Sequence, residues 1–427
     1  MSIRVFLFFT VLLFLSFYGA VLMAAPSADR IFRLVVFACD GIMIVMALSV
    51  IWRNRSFPVV RYLVLFLFVS TLTLFLNLHS VAVATHLNGL RQPLFLLSTL
   101  IVLYDISQSA RWDQLEQLFT KFLILFALLQ IPLSIIQFAK FGAGDMVGGT
   151  YGYTGGSGYV TQLMFLTAFY FIARSSWTHD IESVRFRSVL LYSVFLLPCA
   201  LNETKASFVY LAVLIVLLTM TRKKILKAIP LLTLGVMLIL LLNYYYGKNV
   251  GDTAEVFDER FLERYLVYDP RENVDVPRFQ KLVLMFQVMH GDIGSVLFGL
   301  GYGVFAGENI LGTSAFGRSL WYFQGTRMLL QAVWIQGGLL AAIILLLGTF
   351  WFIKRRALLR SANMRRFRTF LAFVLTTVWF YNEALYSRPF VMIAGFMMTW
   401  VGVGGMDRIT AQGTPDSESV PVASEAR

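Results

Sequence analysis

Charged side chains are scarce in this sequence, and the deficit decides its class. Asp, Glu, Lys and Arg make up 14% of the 427 residues, whereas soluble globular proteins carry about 25%. Hydrophobic residues make up 58%, and they occur in long blocks instead of alternating patterns. The composition therefore excludes soluble globular, disordered and fibrous proteins, and it predicts an all-α polytopic membrane protein.

Cysteine and histidine are also few. The two cysteines, Cys39 and Cys199, both lie inside apolar blocks, so the sequence offers no disulfide framework and no cysteine-based metal site. The four histidines do not occur at the spacing of HExxH or of similar ligand motifs. We therefore expect no metal ion and no cofactor.

Apolar blocks recur along almost the whole chain. A spanning helix needs about 20 mostly apolar residues, and twelve segments approach that length. They lie near residues 5–23, 31–52, 62–78, 90–106, 119–138, 158–173, 189–201, 206–221, 228–246, 328–353, 369–381 and 389–405. The first block is longer than the apolar region of a signal peptide, so we expect it to be a retained anchor.

Lysine and arginine set the predicted orientation. With both termini in the cytoplasm, 22 of the 36 Lys and Arg residues fall on the cytoplasmic side. Short loops on the opposite side hold six, and a long segment, 247–327, holds eight. Basic residues concentrate in short cytoplasmic loops, so segment 247–327 is predicted to lie outside. The net charge of +12 then indicates contact with anionic lipid rather than with nucleic acid.

The predicted organisation has four parts. Residues 1–246 hold nine membrane helices, 247–327 form the large outer loop, 328–405 hold three further helices, and 406–427 form a disordered cytoplasmic tail. Within the loop, the segment from Phe279 to Met289 is apolar but too short to span. Such a segment favours a helix that lies on the membrane or dips into it.

Seven charged residues are predicted to lie on the outer side at or near membrane depth, where charge is costly and usually marks a functional site. They are Arg91, Glu203, Lys205, Arg278, Arg327, Glu383 and Arg388. Basic groups beside water-accessible helix ends suit a diphosphate, because arginine presents forked donors to phosphate oxygens. Taken singly, each basic residue is more often a snorkelling anchor. Arg33 and Asp40, seven residues apart in the second span, favour structural contacts.

The order of these features along the chain is more specific. The polar turn Asn202-Glu203-Thr204-Lys205-Ala206 opens a span and precedes a basic cytoplasmic loop, and one further span leads to the long outer loop. There Arg278 begins the apolar segment, and a glycine-rich stretch, 298–305, follows it. Arg327 then enters a span through Gln336-Gly337-Gly338. This order resembles the O-antigen ligase/polymerase superfamily of bacterial inner membranes, with motifs that occupy about residues 189–345 of the chain.

The resemblance is partial when it is carried over residue by residue. Arg278 matches the family arginine ahead of the loop helix, whereas Thr204-Lys205 stands where the family commonly has Ser-Arg. The histidine of the ligase pattern is absent, because Arg327-Met328 occupies its place. Arg327 and Gly338 are instead separated by ten residues, which is similar to the Arg-x10-Gly pattern of the polymerase branch.

The resemblance implies a polysaccharide repeat-unit polymerase, a metal-independent glycosyltransferase similar to the GT-C class. Its donor would be a glycan on undecaprenyl diphosphate, and its acceptor hydroxyl would belong to a new lipid-linked repeat of O-antigen, capsule or exopolysaccharide at the periplasmic face. We expect Arg278, Arg327 and Lys205 to stabilise charge on the diphosphate. Arg91 and Arg388 are weaker members that bind substrate.

A general base must take the proton of the acceptor hydroxyl. Glu203 and Glu383 are the acids best placed by sequence, and His86 is the third candidate. Expected partners are membrane lipids, a flippase and a chain-length regulator. Three alternatives stay open: an O-antigen ligase or related oligosaccharyltransferase, a twelve-span secondary transporter, and an inactive relative or flippase partner. The missing histidine disfavours the first, and the unequal halves of the chain disfavour the second.

Overall fold

The structure, a computed structural model, is helical. The residues it describes are 2–54, 57–109, 111–142, 146–152, 156–177, 191–202, 206–219, 276, 278–289, 292–305, 323, 327–354 and 362–403. Within these ranges the regular elements are α-helices and short 3₁₀ turns, and no strand forms. The predicted all-α class is confirmed.

The described helices account for most of the apolar blocks. In chain order they are α1 (Ile3–Ala24), α2 (Asp29–Arg53), α3 (Pro58–Leu76), α4 (Val83–Ser107), α5 (Trp112–Phe141), α6 (Ser157–Trp177), α7 (Leu197–Leu201), α8 (Ala206–Thr219), α9 (Arg278–Met289), α10 (Ile293–Phe298), α11 (Leu329–Lys354), α12 (Ala362–Tyr381) and α13 (Arg388–Val403). Among these, α1 to α5 and α11 are long and apolar enough to cross a membrane. The chain is therefore a membrane protein with several candidate spans.

The helices agree with eleven of the twelve predicted segments, but several begin earlier than the apolar runs. Helix α4 begins at Val83 and α12 at Ala362, each seven residues before the predicted start. The predicted segments mark only the apolar runs, which exclude the polar turns with which these helices begin. The predicted span at 228–246, the loop residues up to 275 and the tail 406–427 lie outside the described residues.

Helix α13 forms the centre of the bundle. Its residues from Phe390 to Val401 are all buried, and it packs against α1, α4, α6, α11 and α12. The ring of Phe396 stacks on Phe119 with centroids 3.7 Å apart. Helices α1, α2, α3 and α5 instead expose large apolar side chains, such as Trp52, on their outer faces. In lipid, close packing rather than hydrophobic burial holds such helices together.

Helix α11 is broken at Gly338, whose backbone has a φ of 77°. The glycine-rich turn after α10 fills the break. The N–H of Leu300 donates to the carbonyl oxygen of Ile335 at 2.8 Å. The N–H of Gly301 donates to the carbonyl oxygen of Gln336 at 3.0 Å. The turn thus satisfies the two carbonyl groups that the break deprives of helical partners.

The segment from Phe279 to Met289 forms the helix that its sequence predicts, as part of α9. Helix α9 packs against α10 and α11, and the rings of Phe286 and Trp334 meet edge to face at 5.4 Å. No membrane is present in the structure, so its position on or in a bilayer stays a prediction.

Candidate functional site

Two of the predicted site residues border one short connection. Glu383 and Arg388 lie at either end of the link between α12 and α13. Asn382 fixes this link, because its Oδ1 accepts the N–H of Ala384 at 3.1 Å. The carbonyl oxygen of Asn382 also accepts the N–H of Leu329 at 3.0 Å. The first residues of α11 are thereby held beside the link.

Arg327 and Glu383 form an ion pair at this place. Nη2 of Arg327 donates to Oε1 of Glu383 at 3.2 Å, and the two side chains are 22% and 19% exposed. The guanidinium carbon of Arg327 lies 4.7 Å from the ring centre of Phe305. Within the described part of the chain, Nε of Arg327 and Oε2 of Glu383 are buried without a hydrogen-bond partner. The pair therefore keeps one free donor and one free acceptor.

Arg278 is held next to the same link. Its guanidinium carbon lies 4.2 Å from the ring centre of Tyr381, the last residue of α12. Gln331 donates from Nε2 to the carbonyl oxygen of Arg278 at 3.1 Å. The same amide accepts the N–H of Met328 through Oε1 at 3.2 Å. Nε of Arg278 is buried and has no hydrogen-bond partner among the described residues. We call Arg278, Arg327 and Glu383 the first cluster.

A second group of charges surrounds Asp40, which is 1% exposed in the interior of α2. Arg388 donates hydrogen bonds to both carboxylate oxygens, from Nε to Oδ1 at 2.5 Å and from Nη2 to Oδ2 at 2.8 Å. Nε of Arg91 lies 3.5 Å from Oδ2 of the same carboxylate. We call Asp40, Arg91 and Arg388 the second cluster. Its fork geometry is the arrangement in which arginine binds a carboxylate most strongly.

The one tyrosine of the link, Tyr386, lies close enough to the first cluster to be influenced by its charges. Tyr386 lies in the 3₁₀ turn of the link, and the charges of Glu383 and Arg327 act on it. Burial raises the pKa of Tyr386 well above its usual value, the charge of Glu383 raises it further, and the charge of Arg327 acts in the opposite direction. The phenol therefore stays protonated. Among the described residues its buried hydroxyl has no hydrogen-bond partner, so it is free to bind a ligand hydroxyl.

His86 lies in a different place from the acids. It is 1% exposed in α4, and its Nδ1 accepts the backbone N–H of Tyr302 at 3.1 Å. Its ring meets that of Tyr302 edge to face at 5.4 Å. This contact holds the glycine-rich turn against α4. The geometry favours a structural role for His86 over its prediction as a third base.

The other predicted residues divide into three groups. Arg278, Arg327 and Glu383 meet at the link, whereas Arg388 and Arg91 meet at Asp40. Arg91 is eight residues inside α4 and not at its mouth, because the helix begins at Val83. Glu203 and Lys205 lie outside the described residues, so their roles stay predictions. Arg33 pairs with Asp29 at 2.7 Å and not with Asp40.

Sequence reasoning missed the importance of Asp40 and Gln331. Asp40 was expected to make structural contacts, but its partner Arg388 is 348 residues away along the chain. A lone acid in an apolar run signals only that a cation must lie near it. Gln331 carries no such signal, because an amide inside an apolar helix is not costly enough to mark a site. Its position is visible only once α9 and α11 are packed together.

The first cluster offers the groups that a phosphate ester and a hydroxyl need. Two guanidinium groups supply donors with free edges, and a carboxylate supplies a free oxygen. The described residues contain no group of three or more His, Cys, Asp or Glu side chains that could hold a metal ion. The positive charge that the described residues supply at this place is that of Arg278 and Arg327.

No family model matches the sequence, and no curated protein matches it.

Proposed function

We propose that the protein is a polysaccharide repeat-unit polymerase of the bacterial inner membrane. The observation that supports this function best is the first cluster, in which residues 278, 327 and 383 converge from three separate elements. Two arginines with unused donors beside a carboxylate with an unused oxygen match the needs of glycosyl transfer from a diphosphate. Polyprenyl diphosphate-linked glycan is the substrate class that fits a site beside apolar helices.

The chemistry follows from the free groups of this cluster. The hydroxyl oxygen of the acceptor sugar attacks the anomeric carbon of the donor, and Oε2 of Glu383 takes the hydroxyl proton. The bond between the anomeric carbon and the diphosphate oxygen breaks, and its electron pair leaves with the diphosphate. Arg278 and Arg327 stabilise that growing negative charge more in the transition state than in the ground state.

The polarity of the helices supports a periplasmic position for this site. At one end of the bundle Arg4, near the start of α1, pairs with Asp105, near the end of α4. At the other end of α1, Gly19 packs on Tyr151, whose phenol faces Ser387 in the link. If the terminus before α1 is cytoplasmic, as the basic residues predict, the link faces the periplasm. The full proposal is twelve spans with both termini in the cytoplasm.

Substitution of Arg327 tests the proposal directly. Arg327→Ala is expected to abolish polymer in cells while the protein is inserted at normal level. Arg327→Lys should also polymerise poorly, because a point charge cannot replace two parallel donors. Arg33→Gln is the matched control, since Arg33 is an exposed arginine of α2. Glycan length profiles at equal expression measure the result. Full-length polymer from the Arg327→Ala strain would refute a role for this residue in transfer.

A gene deletion separates the polymerase from the ligase alternative. A strain without a polymerase should retain single lipid-linked repeats, whereas a strain without a ligase should retain polymerised chains on the lipid carrier. Analysis of the extracted lipid-linked glycan distinguishes the two results. If the deletion strain had the same lipid-linked glycan as the wild type, both the polymerase and the ligase assignments would be wrong.

One observation favours the transporter alternative. Helix α11 is broken in its interior, and broken helices build the ion and substrate sites of many transporters. In this protein, however, the carbonyl oxygens of Ile335 and Gln336 accept the N–H groups of the glycine-rich turn. Those oxygens are therefore occupied by the protein itself, which favours a structural break over an ion site.

A further inference from the structure

The two clusters share the link but take their other members from different helices. The first cluster is built from the first residue of α9, the residues just before α11 and the start of the link. The second is built from α2, α4 and the start of α13. The charges that act on Arg91 are those of Asp40 and Arg388, whereas those that act on Tyr159 are those of Glu383 and Arg327. Each cluster is therefore a separate electrostatic environment.

The second cluster carries an excess of positive charge around a buried carboxylate. Among its described members, two arginines face one carboxylate. Asp40 is eleven residues from the start of α2, and Arg91 is eight from the start of α4. At 1.5 Å per residue these positions are about 16 Å and about 12 Å along their helices. A buried charge is costly unless an opposite charge compensates it.

Two N–H groups of Arg91 make no hydrogen bond to Asp40. The fork of Arg388 already occupies both oxygens of Asp40. Nε and Nη1 of Arg91 are buried and have no hydrogen-bond partner within the described residues. One face of its guanidinium is covered by the ring of Phe37 at 3.3 Å. The covered face orients the group, and its free edge is the part that binds an oxyanion.

We propose that Arg91 and Arg388, positioned by Asp40, form a second phosphate-binding site for a lipid-borne phosphate. The proposal rests on the function proposed above, in which the acceptor sugar is also linked to a polyprenyl diphosphate. The first cluster then binds the diphosphate of the donor, and the second cluster binds that of the acceptor. The link carries one residue of each site, so the two lipid head groups lie on either side of it.

The experiment counts bound lipid on the full-length protein in phosphatidylcholine nanodiscs. Undecaprenyl diphosphate and phosphatidylglycerol are titrated separately, and native mass spectrometry gives the number of molecules bound per protein. The wild type is expected to bind two molecules of undecaprenyl diphosphate. Arg91→Gln should bind one, with the second site weakened at least about tenfold. Arg327→Ala should lose the other molecule, and Arg33→Gln, an exposed control, should bind two.

The outcomes separate this inference from the proposed function. If Arg91→Gln binds two molecules with unchanged affinity, the second site is wrong even if the polymerase proposal stands. If the wild type binds one molecule and Arg327→Ala abolishes it, only the first site is supported. If phosphatidylglycerol binds as tightly as undecaprenyl diphosphate through Arg91, the phosphate site is supported and its assignment to the acceptor is refuted. If neither lipid binds, both proposals fail.

The loss of a bound lipid in Arg91→Gln can be distinguished from misfolding of the variant. Asp40 keeps the fork of Arg388 in this variant and loses only the 3.5 Å contact with Nε of Arg91, so its charge stays compensated. The thermal unfolding midpoint of the variant should therefore equal that of the wild type. Arg91→Lys keeps the charge but not the fork, and it is expected to bind the second molecule more weakly than wild type.

Discussion

Asp40 joins α2 to the start of α13 through its ion pair with Arg388. Its carboxylate is buried, and its charge is compensated by arginines from two other helices. A buried ion pair adds little net stability when it is complete, but the loss of one partner leaves an uncompensated buried charge. Removal of either Asp40 or Arg388 alone should therefore destabilise the protein more than removal of a surface charge would.

Arg388→Gln is expected to lower the free energy of unfolding by about 3–5 kcal/mol, because Asp40 loses its forked partner. Thermal unfolding in detergent, followed by tryptophan fluorescence, measures the change. The double variant Asp40→Asn with Arg388→Gln should be less destabilised than Arg388→Gln alone, since no buried carboxylate remains. An Arg388→Gln protein as stable as the wild type would contradict the structural importance of this pair.

The two candidate bases in the described part of the chain are distinguished by a pair of substitutions. Glu383→Gln keeps the shape of the side chain and removes its basicity, so polymer should be lost while the unfolding midpoint changes little. His86→Phe leaves the N–H of Tyr302 without its acceptor, at a cost of about 1–3 kcal/mol. This variant should be less stable, yet its folded fraction should still make polymer. Glycan profiles and thermal unfolding of both variants give the answer. If Glu383→Gln still made polymer and the folded fraction of His86→Phe made none, His86 would be the base instead.

At the scale of elements, the sequence predicted helix type well and helix ends poorly. Long apolar runs identified the helices, because few other features of a chain produce them. The start of α4 was missed because its first two turns carry polar residues such as Thr85 and His86. Those residues face the glycine-rich turn and not lipid, so their partners lie more than 200 residues away in the chain.

The candidate site was predictable to a similar extent. Arg278, Arg327 and Glu383 were identified because each is charged and lies at the end of an apolar run. Their convergence was implied only by the family resemblance. The division of the arginines into two clusters was not predictable, because it depends on which charge Asp40 contacts across 348 residues. A single sequence contains no record of such pairings.

Gly338 is predicted to be intolerant of any side chain. Its φ of 77° disfavours other residues, and a Cβ there would lie 2.1 Å from the carbonyl oxygen of Leu297. Gly338→Ala should therefore destabilise the protein, by at least the strain of about 1–3 kcal/mol for a residue in this backbone region. Gly41→Ala is the matched control, because a Cβ at Gly41 meets nothing within 4 Å. In that helical position alanine should stabilise by about 0.5–1 kcal/mol.

Thermal unfolding of the two glycine variants gives the comparison. The midpoint is expected to fall for Gly338→Ala and to rise slightly for Gly41→Ala. A Gly338→Ala protein with an unchanged midpoint would show that α11 can straighten there. The hydrogen bonds from the glycine-rich turn to Ile335 and Gln336 would then be dispensable.

At the scale of the whole molecule, the orientation in the membrane is the prediction on which the site assignments depend. Alkaline phosphatase fused after Tyr268 is expected to be active, because the excess of basic residues in the opposite short loops places this segment outside. A fusion after Lys224, in a basic loop predicted to be cytoplasmic, should be inactive. Enzyme activity of whole cells at matched expression reports both. An inactive Tyr268 fusion would invert the topology and remove the periplasmic site.

The position of the glycine-rich turn also sets an order for biosynthesis. The hydroxyl of Thr73 donates to the carbonyl oxygen of Phe298, 225 residues later in the chain. At a synthesis rate of about 5–20 residues per second, α3 waits roughly 11–45 seconds for this partner. During this time the hydroxyl of Thr73 can donate within its own helix, because it also lies 3.0 Å from the carbonyl oxygen of Val69. Asn77 likewise has an acceptor within α3, because its Nδ2 donates to the carbonyl oxygen of Thr73 as well as to that of Gly299. Helix α3 can therefore enter the bilayer with the donors of Thr73 and Asn77 already hydrogen-bonded, long before the glycine-rich turn is synthesised.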